Sequence, residues 1–405
     1  MLKVAMVNTV LGGSHGRIMR DLQKVLADRG FAATTMAYGR GSGGESDHIF
    51  QIDTKTDVLT HVALTRLFDR HARGSRSATR KFVQYLETLQ PDLLHLHNVH
   101  GYYLHAETLF DFIRANGIPT VWTHHDCWAL TGHCSHFVRA NCMRWKTGCY
   151  QCPLKHEYPA SFGLDASRSN WQWKRKAFSS VPSLQIVAPS EWLAGVLEQS
   201  YLQDVPREVI PNGVDLSRFK PDGDVLTVRE KLGVRPDQIL LTAVAAPFDA
   251  RKGFNDALQI AHILGYKARV LLVGLTDKQL QALPDGVVGI KRTDGPEELV
   301  SIYKATDCLF NPTYEDTYPT VNMEAIACGT PVAGYGTGGA AEQLVPPCGV
   351  AVPVGDVTAL ADAAMLQAER REDLRNVCRE YAEIHFDRSK AIDAYCKLYQ
   401  RMTGA

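Results

Sequence analysis

Short apolar runs alternate with helix-like segments along the 405-residue chain, and this alternation restarts near its middle. A short apolar run suits a strand buried on both faces, and the segments between the runs place apolar residues at helical spacing. The pattern therefore predicts parallel sheets with helices on both faces. Strands are predicted for residues 2–8, 31–38, 91–98, 120–125 and 184–190, and then for 238–246, 268–274, 307–312 and 330–335. Helices are predicted for residues 16–29, 78–89, 191–200, 253–264, 296–305 and 320–328, with a helical region from Val357 onward.

Length and charge limit the class of protein. At roughly 150 residues per domain the chain is long enough for two or three domains, and the restart places a boundary near residues 200–210. The chain has 44 Lys and Arg against 44 Asp and Glu, and this balance argues against nucleic-acid binding. Residues 1–200 carry a formal charge of +6 and residues 201–405 one of −6, so the two halves suit different partners.

The sequence shows no sign of a membrane or export segment. No run of 18 apolar residues occurs, so no membrane-spanning helix is predicted. The first residues, MLKVAMVNTVLGG, read as a buried first strand rather than as a signal peptide. We therefore expect a cytosolic protein whose cysteines stay reduced.

Turns that follow strands are the expected ligand sites, because open parallel sheets bind ligands beyond the carboxyl ends of their strands. Gly12 and Gly13 directly follow the first strand, and their small size lets a ligand approach backbone N–H groups at a helix start. A plain tight turn explains these glycines equally well. His97 and Asn98 end another predicted strand, where His97 suits acid–base chemistry or acceptor binding.

An acidic loop follows the eighth predicted strand and carries Glu315 and Asp316. The next predicted helix begins at Thr320 and carries Glu324 in its first turns. The free N–H groups of Thr320 and Val321 suit an anion, and the carboxylates on either side suit hydroxyl groups. A nucleotide diphosphate sugar offers both. The alternative is that Glu324 is an ordinary charge on a helix surface.

Several motifs resemble those of glycosyltransferase family 4. The stretch from Asp316 to Glu324, followed by AIACGTPVAGYGTGGAAE, resembles the E-x7-E donor signature of that family. Residues 209–219 resemble its hinge stretch, and residues 250–253 resemble its phosphate-binding Lys-Gly. The N-terminal half resembles colanic-acid-type exopolysaccharide glycosyltransferases in GSHGRIM (13–19), AYGRG (37–41), PDLLHLHNVHGYYLH (91–105), THHDCWALTGHC (123–134), RWKTGCYQCP (144–153) and APSEWLA (188–194).

The resemblance implies an α/β protein of the GT-B class, with two Rossmann-like domains whose parallel sheets face each other across a cleft. It implies an N-terminal acceptor-side domain of residues 1–203, to which a C-terminal helix at 385–405 crosses back, and a donor-binding domain of residues 204–384. It further implies retaining transfer of a hexose from a nucleotide diphosphate sugar to a saccharide or lipid-linked saccharide in exopolysaccharide synthesis. No cofactor is expected for catalysis.

The resemblance also implies roles for single residues. Lys252 would neutralise the diphosphate, and Glu324 would hold the ribose hydroxyls. Asp316 would contact the transferred sugar, and His125 would meet that sugar from the other side of the cleft. Further donor-side positions are Gly12, Gly13, Arg251, Glu315, Thr320 and Val321. The acceptor-side positions are His97, Asn98 and Asp126.

Two positions depart from the family pattern. Asp316 stands where the signature has its first Glu, and Ala246 stands where many members have an Arg six residues before the phosphate-binding Lys. Two other functions therefore stay open. One is a nucleotide-sugar protein of the same fold that is not a transferase, such as an epimerase. The other is a catalytically weakened scaffold stabilised by zinc.

Four cysteines within a short segment predict a possible metal site. Their spacing, C-x7-C-x6-C-x2-C, can enclose a tetrahedral Zn²⁺, and the segment has little periodicity of its own. Reduced thiols or redox-labile pairs are the alternative. The four are Cys134, Cys142, Cys149 and Cys152.

A basic stretch precedes and enters the helix predicted at 78–89. It consists of Arg66, Arg70, Arg73, Arg76, Arg80 and Lys81. A solvated helix face explains it, and so does contact with an anionic lipid surface, because such surfaces attract basic clusters. The second interpretation predicts a peripheral position on the inner face of the plasma membrane.

Overall fold

The structure, a computed structural model, describes residues 2–28, 32–40, 49–223 and 225–404. The chain divides into two compact units. The first comprises Met1–Ile210 with Ile392–Ala405, and the second comprises Pro211–Ala391. Both divisions fall a few residues beyond the positions expected from sequence, after residues 203 and 384. Phe31, the predicted start of the second strand, lies outside the described residues.

The first unit contains a seven-stranded, fully parallel sheet in the order β3-β2-β1-β4-β5-β6-β7. Its strands are β1 (Lys3–Val10), β2 (Ala32–Arg40), β3 (Ile49–Gln51), β4 (Leu93–Leu96), β5 (Thr120–Thr123), β6 (Leu184–Ala188) and β7 (Arg207–Val209). Its helices are α1 (Gly13–Asp28), α2 (Lys55–Phe68), α3 (Arg76–Leu89), α4 (Ala106–Asn116), α5 (Ser167–Phe178) and α6 (Glu191–Glu198). The central strands are buried over their whole length, as sheets covered on both faces require.

The second unit contains a six-stranded parallel sheet in the order β10-β9-β8-β11-β12-β13. Its strands are β8 (Ile239–Val244), β9 (Ala268–Val273), β10 (Val287–Ile290), β11 (Cys308–Asn311), β12 (Val332–Tyr335) and β13 (Gly349–Val352). Its helices are α7 (Leu226–Lys231), α8 (Phe254–Leu264), α9 (Asp277–Gln281), α10 (Pro296–Ala305), α11 (Thr320–Ala327), α12 (Val357–Glu369) and α13 (Arg371–His385). The predicted α/β class with two parallel sheets is confirmed.

The last helix, α14 (Arg388–Thr403), packs its tyrosines against the first sheet. Tyr399 Oη lies 2.6 Å from His95 Nδ1 on β4, and Tyr395 Oη lies 2.9 Å from Thr123 Oγ1 on β5. Both tyrosines are buried, so their hydroxyls need such partners. Residues from Ile392 onward therefore belong to the first unit although they end the chain.

Several boundaries differ from the sequence prediction. The first helix begins at Gly13 rather than at residue 16, and β4 ends at Leu96, so His97 and Asn98 follow the strand. Helices α2, α4 and α5 lie in segments for which no helix was predicted. Helix α2 begins with a capping box, in which Thr54 Oγ1 accepts the Asp57 N–H and Asp57 accepts the Thr54 N–H.

Candidate active site

Each sheet reverses its strand order once, beside its first strand. In the first sheet β1 lies between β2 and β4, and in the second sheet β8 lies between β9 and β11. At such a reversal the connections leave in opposite directions, which opens a crevice at the carboxyl ends of the strands. Within each unit, the loops that follow these strands are therefore the candidate ligand-binding loops.

In the second unit, the loop after β8 presents Lys252. Asp249 Oδ1 accepts the Lys252 N–H at 3.0 Å, which closes the turn before α8. Gly253 has a φ of +75°, and a Cβ at this position would lie 2.1 Å from the Pro312 carbonyl oxygen. Glycine therefore lets this turn lie against the end of β11.

The side chain of Lys252 forms an ion pair with Asp316, which follows β11. Their side chains are 19% and 18% exposed, and Asp316 Oδ1 also accepts the Tyr318 N–H at 3.1 Å. Gly338, with a φ of +52°, makes room for this loop, because a Cβ there would lie 2.3 Å from the Asp316 carbonyl oxygen. A largely buried ion pair interacts more strongly than a pair in water. The pair places a cation suited to phosphate beside a carboxylate suited to hydroxyls.

Glu315 and Arg251 contact each other through the backbone oxygen of Glu315 rather than through its carboxylate. The side chain of Glu315 is buried, and its carbonyl oxygen accepts hydrogen bonds from Thr313 Oγ1 at 3.2 Å and from Arg251 Nη1 at 3.4 Å. Arg251 thereby braces the loop through its backbone. The carboxylate that meets Lys252 is that of Asp316.

Glu324 lies on α11 and is only 3% exposed. Its Oε2 accepts a hydrogen bond from Tyr303 Oη of α10 at 3.0 Å. It is therefore not the ordinary surface charge that the sequence left open. Pro319 occupies the N-cap of α11 and supplies no side-chain cap, while Thr320 and Val321 are half-buried. The first N–H groups of a helix lack intrahelical partners, so the start of α11 offers donors to an anion.

In the first unit, the turn after β1 is open. Gly12 and Gly13 are exposed, and a Cβ added at either position would meet no atom within 4 Å. Gly13 has a φ of +68° at the start of α1, which side chains rarely adopt. The turn leaves room for a ligand beside a helix N-terminus.

Two histidines of the first unit lie side by side, His97 directly after β4 and His125 two residues after the end of β5. His97 Nδ1 lies 2.9 Å from His125 Nε2, and the two rings are nearly parallel, 10° apart. Both side chains are buried. The His97 backbone is fixed on both sides, since its N–H donates to the Val7 oxygen at 2.9 Å and its oxygen accepts from Trp122 Nε1 at 2.9 Å. One imidazole must donate to the other, so the tautomers of His97 and His125 are linked.

Asp126 is the next residue and pairs with a different histidine. Its Oδ2 lies 2.9 Å from His100 Nε2, and its Oδ1 accepts the Trp128 N–H at 2.8 Å. Burial alone would raise the pKa of Asp126, but attraction and hydrogen bonding to His100 outweigh it and hold that pKa well below its usual range. Asn98 takes a structural part, because its carbonyl oxygen accepts from Tyr103 Oη at 2.7 Å.

Two family models match the chain: Glycosyltransferase Family 4 over residues 15–218, and Glycosyl transferases group 1 over residues 225–385. The first match alone spans more than half of the chain. The chain belongs to glycosyltransferase family 4. It is thus a glycosyltransferase of the hexosyltransferase class.

Known proteins agree with this membership. The chain is 27% identical over 347 residues to the putative colanic acid biosynthesis glycosyl transferase WcaC of Escherichia coli (strain K12), a match that covers 82% of each chain. Among solved structures, it is similar to sucrose-phosphate synthase from Thermosynechococcus elongatus, with a TM-score of 0.74, 18% identity and full coverage of both chains. It is also similar to Anabaena Alr3699/HepE in complex with UDP-glucose, with a TM-score of 0.69, 14% identity and coverage of 99% and 100%. The predicted GT-B fold class is confirmed.

Sequence reasoning missed several residues that support the site. Asp256 on α8 accepts hydrogen bonds from Tyr314 Oη at 2.8 Å and from Tyr335 Oη at 2.6 Å, and so ties down the loop before Glu315. Tyr303 also went unnoticed, and Gly338 was quoted only as part of the donor-signature stretch. Their partners lie far along the chain, and no local pattern marks them; the glycine in the Thr-Gly-Gly turn was the one available signal.

Proposed function

We propose that this protein is a retaining glycosyltransferase of polysaccharide assembly, which transfers a hexose from a nucleotide diphosphate sugar to a lipid-linked saccharide. The observation that carries the proposal is the Lys252–Asp316 ion pair, with buried Glu324 nearby in sequence, at the strand reversal of the second unit. The UDP-glucose complex of a protein with the same fold supports this donor class.

Each donor-site residue has a part that its surroundings support. Lys252 neutralises the diphosphate as a point charge, and the N–H groups of Thr320 and Val321 hold its oxygens. Glu324 accepts hydrogen bonds from ribose hydroxyls. Asp316 binds a hydroxyl of the transferred sugar while it keeps Lys252 in place. Protein charges stabilise the departing diphosphate in this scheme.

The proposed transfer is a single displacement on one face of the sugar. The bond from the anomeric carbon to the diphosphate oxygen breaks, and a bond from that carbon to the acceptor oxygen forms. The acceptor proton passes to the departing phosphate oxygen, so no protein nucleophile is needed. His125, which shares a hydrogen bond with His97, hydrogen-bonds the sugar during the transfer.

A surface of the first unit supports a lipid-linked acceptor. The apolar patch, as we name it, consists of Leu59, Leu67, Phe162 and Leu164, which are 71%, 55%, 67% and 61% exposed. The Leu164 N–H donates to the Leu67 oxygen at 2.9 Å, so the two segments adjoin. Arg66, Arg70 and Lys155 lie on the same segments. Exposed apolar side chains beside cations fit the interface of an anionic membrane.

Part of the basic stretch named from sequence is already engaged. The Arg66 guanidinium stacks on the Phe162 ring at 5.3 Å, and Arg73 pairs with Glu107 at 3.8 Å. None of the described helices combines the length and the apolar character that spanning a bilayer requires. The contact we propose is a peripheral one, on the inner face of the plasma membrane.

Donor binding tests the proposal directly. Thermal shifts against a panel of nucleotide sugars identify the donor, and the Glu324→Gln variant is then compared with wild type for binding and transfer. We expect loss of both without unfolding, because the amide cannot accept as the carboxylate does. Glu369→Gln, at an exposed glutamate on α12, is the control. Near-normal transfer by Glu324→Gln contradicts the proposal.

Vesicle flotation tests the membrane contact. Wild-type protein should float with vesicles that contain anionic phospholipid and much less with neutral ones. Leu67→Ser/Phe162→Ser should weaken flotation, while Leu226→Ser, at a leucine 74% exposed on the second unit, should not. Equal flotation with both vesicle types, or none with either, contradicts the contact and leaves the donor proposal standing.

A further inference from the structure

A long segment of the first unit lacks regular structure yet contributes to the core. Between β5 and α5, one three-residue 3-10 helix, Arg144–Lys146, is the regular element among the described residues. The segment nevertheless buries Trp128, Phe137 and Trp145 in the hydrophobic core. Ordered loops of this length are uncommon and usually need a feature that orders them.

All four cysteines of the C-x7-C-x6-C-x2-C motif come together in this segment. Cys134, Cys142, Cys149 and Cys152 line one small cavity of about 10 Å³, close to the space that one water molecule needs. The Cys134 and Cys152 thiols are in hydrogen-bond contact, and none of the four forms a disulfide. The fold therefore places the first and the last cysteine of the motif, Cys134 and Cys152, in the wall of the same cavity.

The cavity wall contains one backbone donor that points at a cysteine sulfur. The Gly132 N–H donates to Cys149 Sγ at 3.1 Å. A Cβ at Gly132 would lie 2.0 Å from the Ser167 carbonyl oxygen, so glycine is what lets this N–H approach the sulfur. Backbone N–H groups that point at sulfur stabilise its anionic form and orient it as a ligand.

A buried cation lies in the same region. Lys174 on α5 is 1% exposed, and its Nζ donates to the carbonyl oxygens of Trp128 at 2.7 Å and Thr131 at 3.0 Å. It also lies 3.4 Å from the centre of the Trp128 ring. Carbonyl oxygens and a ring face carry no net negative charge, and a buried ammonium is costly without a nearby anion. Burial lowers the pKa of Lys174 to about 7, and Cys149, Cys134, Asp69 and Asp126 are the acidic groups that oppose this shift.

We propose that Cys134, Cys142, Cys149 and Cys152 bind one structural Zn²⁺ as thiolates. Binding releases four protons and forms four zinc–sulfur bonds, so the site carries a charge of −2, which Lys174 partly balances. Four sulfur ligands fill the tetrahedral positions and leave none for a substrate, which is the pattern of a structural site. Soft thiolates in a tetrahedral set favour zinc among the common divalent cations.

The thiols must close around the ion by side-chain rotation. Within residues 2–28, 32–40, 49–223 and 225–404, no three His, Cys, Asp or Glu side chains are already arranged to hold a metal ion. The four cysteines line one small cavity without being arranged around a common point. Rotation about the Cα–Cβ bond moves a sulfur atom without moving the backbone.

Metal analysis of the full-length protein, purified under reducing conditions without added metal, is the first test. We expect one zinc per chain. Replacement of the zinc by Co²⁺ should give the visible absorption of tetrahedral thiolate coordination, a signal that a merely buried thiol cluster cannot produce. Cys142→Ala and Cys152→Ala should lose the metal, whereas Cys127→Ala, which removes a buried cysteine of the same segment that does not line the cavity, should keep it.

Two results overturn the proposal. One is wild-type protein without stoichiometric zinc that also fails to bind Co²⁺ through sulfur. The other is a Cys134–Cys152 disulfide in the purified protein, identified by peptide mapping, because the intact mass alone does not say which of the ten cysteines are joined. Neither result depends on variants that fold, and neither bears on the donor site in the second unit.

Discussion

The two sheets reverse strand order at the same topological position and carry different chemistry there. The second unit places an ion pair, Lys252 with Asp316, at its reversal. The first unit places an open glycine turn and the His97–His125 pair at its own. Charged groups suit a diphosphate, while imidazoles suit hydroxyls that exchange protons. A shared fold thus fixes where a ligand binds, and the loop residues fix which ligand it is.

Removal of the Lys252 charge should have the largest effect. We expect Lys252→Ala to lower the transfer rate roughly 10²- to 10³-fold, because one lost stabilising group in a catalytic site costs about that much. Asp316 would also be left largely buried without its cation. Steady-state transfer and equilibrium donor binding measure the two consequences. The control is Lys278→Ala, at an exposed lysine of α9; equal activity of the two variants would mean that the pair has no part in donor binding.

Replacement of His125 should affect transfer without affecting donor binding, unlike replacement of Lys252. We expect His125→Ala to lower transfer about 10²-fold, the usual range for a lost proton-handling or hydrogen-bonding group, while donor binding stays unchanged. His97→Gln should have a smaller effect, since it acts through the orientation of His125. Comparison of the maximal rate with the donor KM measures this. If His125→Ala weakens donor binding as much as Lys252→Ala does, the division of chemistry between the units is wrong.

Replacement of Gly253 and Gly12 by alanine should show how closely the backbone is packed at the strand reversal of each unit. Gly253→Ala should lower the free energy of unfolding by about 2 to 4 kcal/mol, because it combines a left-handed φ with a backbone oxygen at 2.1 Å. Gly12→Ala should cost little, since its Cβ meets open space. Hydrogen exchange within each unit measures both. A stable Gly253→Ala protein would show that the loop before α8 can move.

Acid should destabilise the first unit before the second. Burial lowers the pKa of His95 from 6.5 to about 3, with a further contribution from His125. Between pH 6.5 and 3, the imidazole of His95 is protonated in the unfolded chain and neutral in the folded one. The contribution of His95 to the free energy of unfolding is therefore complete above pH 6.5 and decreases as the pH falls below 6.5. Between pH 6.5 and 5 the loss for His95 amounts to about 2 kcal/mol.

Urea unfolding at pH 7.5 and pH 5 measures this loss. All six tryptophans lie in the first unit, so their fluorescence reports on that unit alone. His95→Gln should reduce the pH dependence while the amide keeps contact with Thr123 and Tyr399. The second unit contains only the exposed His262 and His385 among the histidines of the sequence. An unchanged pH dependence in His95→Gln would place the acid sensitivity on other histidines.

Much of the fold was accessible from the sequence because strand and helix patterns are local. The apolar runs at 238–246 and 268–274 predicted β8 and β9, whose buried strands need continuous apolar side chains. Helix α2 was missed because its capping box precedes a helix of weak amphipathic pattern. The Lys252–Asp316 pair joins residues from two loops, and no local pattern in either loop predicts that these two side chains will meet. The His97–His125 pair requires β4 and β5 to be neighbours, which only the sheet order shows.

The sequence by itself determined the two-sheet α/β class, the family and the segments that carry the candidate chemistry. These depend on local periodicity and on short motifs, which each stretch of chain displays independently. The tertiary structure decided which carboxylate meets Lys252, that Glu324 is buried, that His97 and His125 share a hydrogen bond, and that four cysteines line one cavity. Those facts depend on strand order and packing, because groups distant in sequence interact only after the sheets bring their loops to the same edge.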